Sequence, residues 1–106
     1  MEKELKKILE IIEKADKAKI KSKNMNEREI QKLLKNKSIQ LFKNVGDEEI
    51  KIAYAKALIA FYEKTNFSRS LRNEIIARLA NERNVSKAIQ KFGAKEGKVN
   101  ILFLKK

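Results

Sequence analysis

The run Val99-Asn100-Ile101-Leu102-Phe103-Leu104 is apolar at almost every position. Side chains alternate between two faces along a strand. A strand of this composition therefore needs cover on both faces and belongs inside a sheet. Two other segments qualify as its neighbours. Ser38-Ile39-Gln40-Leu41-Phe42 alternates, with Ile39 and Leu41 inward. Residues 18–23, Ala-Lys-Ile-Lys-Ser-Lys, read as a short, lysine-studded edge strand.

The rest of the chain follows helical spacing. Leu5, Ile8, Leu9 and Ile12 form one narrow stripe on a helix over residues 3–15. Asn26 caps a second helix, and Glu29, three residues on, completes a capping box; Ile30, Leu33 and Leu34 give its buried side. The third helix opens at Asp47, where Asp47, Glu48 and Glu49 suit the positive end of the helix dipole. Ile50, Ala53, Tyr54, Ala57, Leu58 and Phe61 keep its core spacing for three turns. Tyr54 and Phe61 are accordingly read as core rather than as a base-stacking platform.

Thr65, Asn66 and Ser68 interrupt that helix. Ser68 is the predicted cap of a helix over 69–80, with Leu71, Ile75, Ile76 and Leu79 inward. After the short connection Asn81–Asn84, a last helix over 85–92 turns Val85, Ala88, Ile89 and Phe92 inward. Gly93 is expected to close it in the left-handed conformation, and Gly97 allows a further turn. This order predicts an α+β fold, a small, mostly antiparallel sheet with helices packed against it. Residues 1–16 are read as an N-terminal helical extension and 17–106 as the domain proper.

Composition narrows the chemistry. The 106 residues suit one domain, and 42% hydrophobic with 38% charged residues describes a globular chain with a heavily charged surface. Without cysteine there is no disulfide or thiolate metal site, and without histidine the commonest general base and metal ligand are missing. Asp47, Glu48 and Glu49 are consecutive, so on a helix they point three ways and make a poor metal cage. Ser68 and Ser70 have no histidine to activate them, and three glycines are too sparse for a phosphate loop. No catalytic residue, metal, cofactor or small-molecule substrate is predicted. No apolar run approaches the ~18 residues of a membrane helix. The start, Met1-Glu2-Lys3-Glu4, lacks the apolar core of a secretory signal, so a cytoplasmic, non-membrane location is expected.

The net charge is +12, and 13 basic against 7 acidic side chains lie on each side of the Gly46–Asp47 junction. Such a spread points to a polyanion partner, although lysines also serve solubility. Residues 64–98 carry nine basic side chains against three acids and hold four of the five arginines. Arginine makes planar, two-pronged contacts with phosphate. Lys64, Arg69, Arg72, Arg83, Lys87, Lys91 and Lys95 are the candidate nucleic-acid contacts; Glu74 and Glu82, standing among arginines, read as ion-pair partners. Helices 69–80 and 85–92, joined by a short turn, also allow a DNA-binding helix-turn-helix as the alternative.

The stretch "NFSRSLRNEIIARLANERNVSKAIQKFGAKEG" resembles the Cgi-type subunit of the KEOPS complex, the PRPK-binding protein family. The likeness rests on Ser68, Ser70, Glu74-Ile75-Ile76, Arg83, Val85, Ala88-Ile89 and Gly93-Ala94-Lys95-Glu96-Gly97. The family has glycine where Asn81 stands and glutamines where Glu82 and Asn84 stand. The resemblance implies an accessory subunit without an active site. Such a subunit binds the small atypical kinase of the complex and tRNA, in support of threonylcarbamoyladenosine formation. Asn73, Ile76 and Asn84 are the side chains assigned to the kinase contact.

Overall fold

The computed structural model describes residues 2–104. In chain order it holds α1 (Glu2–Asp16), β1 (Lys19–Met25), α2 (Glu27–Leu33), β2 (Ile39–Lys43), α3 (Asp47–Glu63), α4 (Leu71–Ala80), α5 (Val85–Phe92) and β3 (Gly97–Phe103). The sheet order is β1-β3-β2, and both pairings are antiparallel. The fold is α+β, and the apolar C-terminal strand occupies the middle of the sheet as its composition requires.

Both faces of the sheet are covered. Val99 and Ile101 of β3 join Ile39 and Leu41 of β2, Met25 of β1 and Ile30 of α2 in a small core. On the other face Leu102 and Phe42 join the larger core, built from Ile50, Ala53, Tyr54 and Ala57 of α3, Ile75 and Ile76 of α4 and Ala88 of α5. Strand β2 is therefore buried on both sides, beyond the single inward pair that alternation suggests. Phe42 is 0% exposed. Gln40 is also buried; its Nε2 donates to the Arg72 carbonyl at 2.6 Å, and its Oε1 accepts the Leu41 amide at 2.8 Å.

The capping box at α2 forms in both directions: the Glu29 amide donates to Asn26 Oδ1 at 2.8 Å and the Asn26 amide to Glu29 Oε1 at 3.1 Å. The cap of α4 is Ser70, not Ser68, so the helix starts at Leu71. Ser68 stays in the loop, where its hydroxyl accepts the Ser70 amide at 3.2 Å. Asn81 ends α4 at φ 52°. Asparagine enters this left-handed region more readily than other side-chain-bearing residues, so it can serve where the resembled family has glycine.

Three expectations about apolar faces change. Helix α1 buries Ile11 and Ala15, with Ile8 half-buried, and leaves Leu5, Leu9 and Ile12 exposed. The partner helix α3 selects the face, and the Ile8–Ile11–Ala15 face is the one turned toward it. Ile89 on α5 is 47% exposed rather than inward. Gly93 does not adopt a left-handed conformation; it is extended at φ −64° and bridges to Phe42 of β2. Its lack of a side chain matters for space: a Cβ there would collide with the carbonyl oxygen of Ile89.

Gly93→Ala should therefore lower stability by about 1–3 kcal/mol, the range for forcing atoms into a filled site. Urea unfolding should show a lower midpoint with an unchanged slope. A parental midpoint would mean that the last turn of α5 yields around the added methyl group.

Candidate nucleic-acid and partner interface

The loop between α3 and α4 is organised by one buried carboxylate. Lys64 ends α3 at φ 61°, and the Thr65 amide reaches back to the Ala60 carbonyl at 2.8 Å. Glu74, in the first turn of α4, is 0% exposed. Its Oε1 accepts the amides of Phe67 and Ser68, both at 2.7 Å, and its Oε2 accepts Arg78 Nε at 2.8 Å. A charge taken out of water this completely needs such partners, and here three donors meet it. Glu74 is thus an ion-pair partner of an arginine, as its surroundings suggest. Glu82 instead lies 3.8 Å from Lys91.

Arg78 also donates from Nη2 to the Thr65 carbonyl at 3.1 Å and stacks on Phe67, its Cζ lying 3.8 Å from the ring centroid. Arg83 Cζ approaches the same ring at 5.1 Å. Phe67 is exposed, so an aromatic surface flanked by two guanidinium groups faces solvent. Lys64 and Arg69 lie on the same loop and are exposed. Phe67 escaped the sequence reading. The signal was an aromatic residue in an otherwise polar helix break, Thr65-Asn66-Phe67-Ser68-Arg69.

The candidate phosphate contacts divide into groups. Arg83 lies against Phe67, and Lys64 and Arg69 are exposed on the same loop. Lys87 and Lys91 are exposed on α5, and the Lys91–Glu82 pair ties that helix back to the turn carrying Arg83. Lys95 is exposed in the turn before β3, where the neighbouring Glu96 accepts the Glu27 amide at the start of α2, at 3.3 Å. Arg72 is half-buried; its Nη1 donates to the carbonyls of Leu34 at 2.9 Å and Asn36 at 3.2 Å. It braces the α2–β2 connection, which leaves its guanidinium less able to meet a ligand than its position in the sequence suggests.

The residues assigned to a protein partner also separate. Asn73 and Ile76 line one groove of about 310 Å³, with Gln40, Arg72 and the exposed Ile89 on its walls. Ile76 is 1% exposed, so it can offer a partner only the groove floor. Asn84 lies elsewhere and caps α5, its Oδ1 accepting the Lys87 amide at 3.2 Å. That local duty explains the side chain. Tyr54 is buried in the core; desolvation pushes its phenol above the ordinary tyrosine value, and it is no stacking platform.

A family model described as kinase binding protein CGI-121 matches residues 45–106, which span α3, α4, α5 and β3. No curated protein gives a match.

Within that segment Glu74 is the most consequential polar residue. Glu74→Ala strands Arg78 and two loop amides, and should cost about 3–5 kcal/mol, as for other half-removed buried pairs. Glu74→Gln keeps acceptor capacity and should cost less. Denaturant midpoints of the two variants check this; equal, negligible losses would mean that the loop is held without the carboxylate.

Proposed function

The chain belongs to the CGI-121 family of kinase-binding proteins, and from that membership we propose that it is the non-catalytic accessory subunit of a KEOPS-type assembly. In this reading it holds the small atypical kinase and presents tRNA for threonylcarbamoyladenosine formation in the cytoplasm. The observation that carries the reading is the match over residues 45–106, because that segment contains both the Phe67 cluster and most of the groove between α4 and β2.

The two partners call for different chemistry. A protein partner gains most from apolar anchors seated in a concave, partly desolvated site. The groove floored by Ile76 and rimmed by Asn73 and Ile89 supports a kinase contact there. RNA calls for phosphate contacts and for flat surfaces on which bases stack. Arg83 against Phe67, Arg69 on the same loop, and Lys87 and Lys91 exposed on α5 support an RNA contact on that side. The absence of histidine and cysteine from the sequence fits a subunit that positions substrates and leaves bond-making to its partners. None of the described helices is long and apolar enough to cross a membrane.

The helix-turn-helix alternative fits α4 and α5 less well. A recognition helix must stand clear of its own domain to enter a DNA groove. Helix α5 runs directly into the Gly93–Phe42 bridge, and its Ile89 lines the groove beside α4.

Two measurements test the proposal. Ile89→Glu combined with Asn73→Ala should reduce capture of the atypical kinase at least tenfold, with tRNA binding unchanged. Charge reversal at Arg83, Lys87 and Lys91 should do the opposite: kinase capture stays, and the slope of log affinity against log salt for tRNA falls by about one for each phosphate no longer neutralised. Parental behaviour of the triple variant would remove the RNA contact from this surface. Failure of the parent protein to capture the kinase would sink the assembly assignment.

A further inference from the structure

The most basic part of the chain lies outside the segment matched by the family model. Residues 17–43 carry nine lysines and arginines against two glutamates. Helix α1, just before them, carries four bases against five acids, so the positive excess of the first half resides in 17–43. The RNA contact proposed above uses none of these cations, although Ile30, Gln31, Leu34, Gln40 and Leu41 of the same stretch line the groove.

The fold concentrates that charge on one face. Lys19, Lys21 and Lys23 alternate along β1, opposite Phe103, Ile101 and Val99 of β3. Those β3 side chains pack in the core that contains Ile30 of α2, so the three lysines project to the α2 side of the sheet. Lys23 Nζ lies 3.6 Å from Glu29 Oε2 on α2, and Lys21 Nζ lies 5.9 Å from the Phe103 ring centroid, both on that side. Two residues of strand rise separate successive lysines by about 6.8 Å. On α2, Ile30 faces the sheet, while Arg28 and Lys32, together with Lys35 just past the helix end, line one open depression with Gln31. All six cations are exposed, and among the described residues only Lys23 has a carboxylate within 4.0 Å.

Edge protection explains lysines on β1, because charge there discourages pairing with another sheet. It does not explain α2. Arg28 and Lys32 are four apart on the helix, a spacing at which like charges repel and weaken it, and Lys35 adds a third cation just past its end. A solubility role would be served equally by alternating signs, without that repulsion. A bound polyanion relieves it. A lipid surface would call for an apolar element to enter it. The exposed large apolar side chains all lie on α1, α3, α5 and the α3–α4 loop, none on β1 or α2.

We infer that the β1–α2 face is a second contact for the ribose-phosphate backbone of RNA, an inference that rests on the RNA reading above. Arg72 joins the two regions: its bonds to Leu34 and Asn36 hold the start of α4 against the end of α2, where Lys35 and Lys37 flank Asn36. The contact reads charge and spacing, not sequence.

The test is a salt titration of tRNA binding by the full chain, comparing the parent with a variant carrying Lys19→Gln, Lys21→Gln, Lys32→Gln and Lys35→Gln. The expected result is a log–log slope shallower by about four, near one for each phosphate left unneutralised, with the four matching Lys→Arg changes restoring the parental slope. A parental slope in the glutamine variant overturns the inference; if the Arg83, Lys87 and Lys91 variant still shows a shallower slope, the RNA reading itself survives. A parent that shows no salt-dependent tRNA binding sinks both. Capture of the parent by phosphatidylserine vesicles, abolished in the glutamine variant while its tRNA slope stays parental, overturns the choice of RNA over lipid.

Discussion

Everything in this fold depends on the last strand being held in the middle. Strand β3 is the only one with two neighbours, and its two faces complete the two cores. A buried asparagine fixes it there. Asn100 is 1% exposed; its Oδ1 accepts the Ser22 hydroxyl at 2.6 Å, and its Nδ2 donates to the Val45 carbonyl. One side chain thus ties β3 both to β1 and to the segment leading into α3. Its partners are 78 and 55 residues away in sequence. Such distant contacts close late and make folding slow relative to a helical bundle of equal size. The family match at 45–106 contains β3 but neither of its neighbours. The matched segment therefore depends on upstream strands for its own core, and the basic β1–α2 face is physically part of the same unit.

Glu74 plays the corresponding part for the α3–α4 loop. Its carboxylate converts a polar helix break into a fixed turn, and that turn presents Phe67 to solvent beneath two arginines. This changes how the concentration of arginine in 64–98 is understood. Arg78 serves Glu74 and the Thr65 carbonyl, and Arg72 serves two carbonyls beyond α2. Planar guanidinium suits both duties, since its fork can satisfy several backbone acceptors as well as it meets phosphate. Half of the arginines in the stretch therefore brace the scaffold, while Arg69 and Arg83 remain on its surface.

What the sequence made legible was local or compositional. The Asn26–Glu29 box and the doubly apolar β3 each state their structure within a few residues and formed as read, and the α3 stripe did so from Ile50 to Leu58, while Phe61 lies outside both cores. What it hid was decided by partners distant in sequence. Ser68 and Ser70 are equally good caps by type; Glu74 settles the choice by drawing the Ser68 amide into its own shell. On α1 the apolar residues run around more than one face, and only the position of α3 shows that Ile11 and Ala15 are the ones buried. Gly93 looked like a left-handed helix stop because of its place after Phe92, whereas it is extended and what demands glycine is the close approach of Ile89 in the last turn of α5. The candidate site divides in the same way. Its charges could be counted in the sequence, but Phe67 became visible as a platform only when two arginines from different elements met on it.

The placement of charge suits a subunit that must pass its ligand on. Lysine-rich faces bind a phosphate backbone through counterion release, which gives rapid, salt-sensitive and sequence-independent attachment. A tight, base-reading pocket would select one RNA and then release it slowly. For the presentation role proposed, many weak contacts spread over two faces are the better solution, because an RNA can shift along them while remaining attached. The rigid parts, Asn100 at the sheet and Glu74 at the loop, keep those faces in register with each other. The groove is lined by Ile30 and Gln31 of α2 and by Leu34 just past it, as well as by residues of β2, α4 and α5, so a protein seated there would border the β1–α2 face. In the proposed reading the two partners therefore meet along α2, where Gln31 borders both the groove and the basic depression.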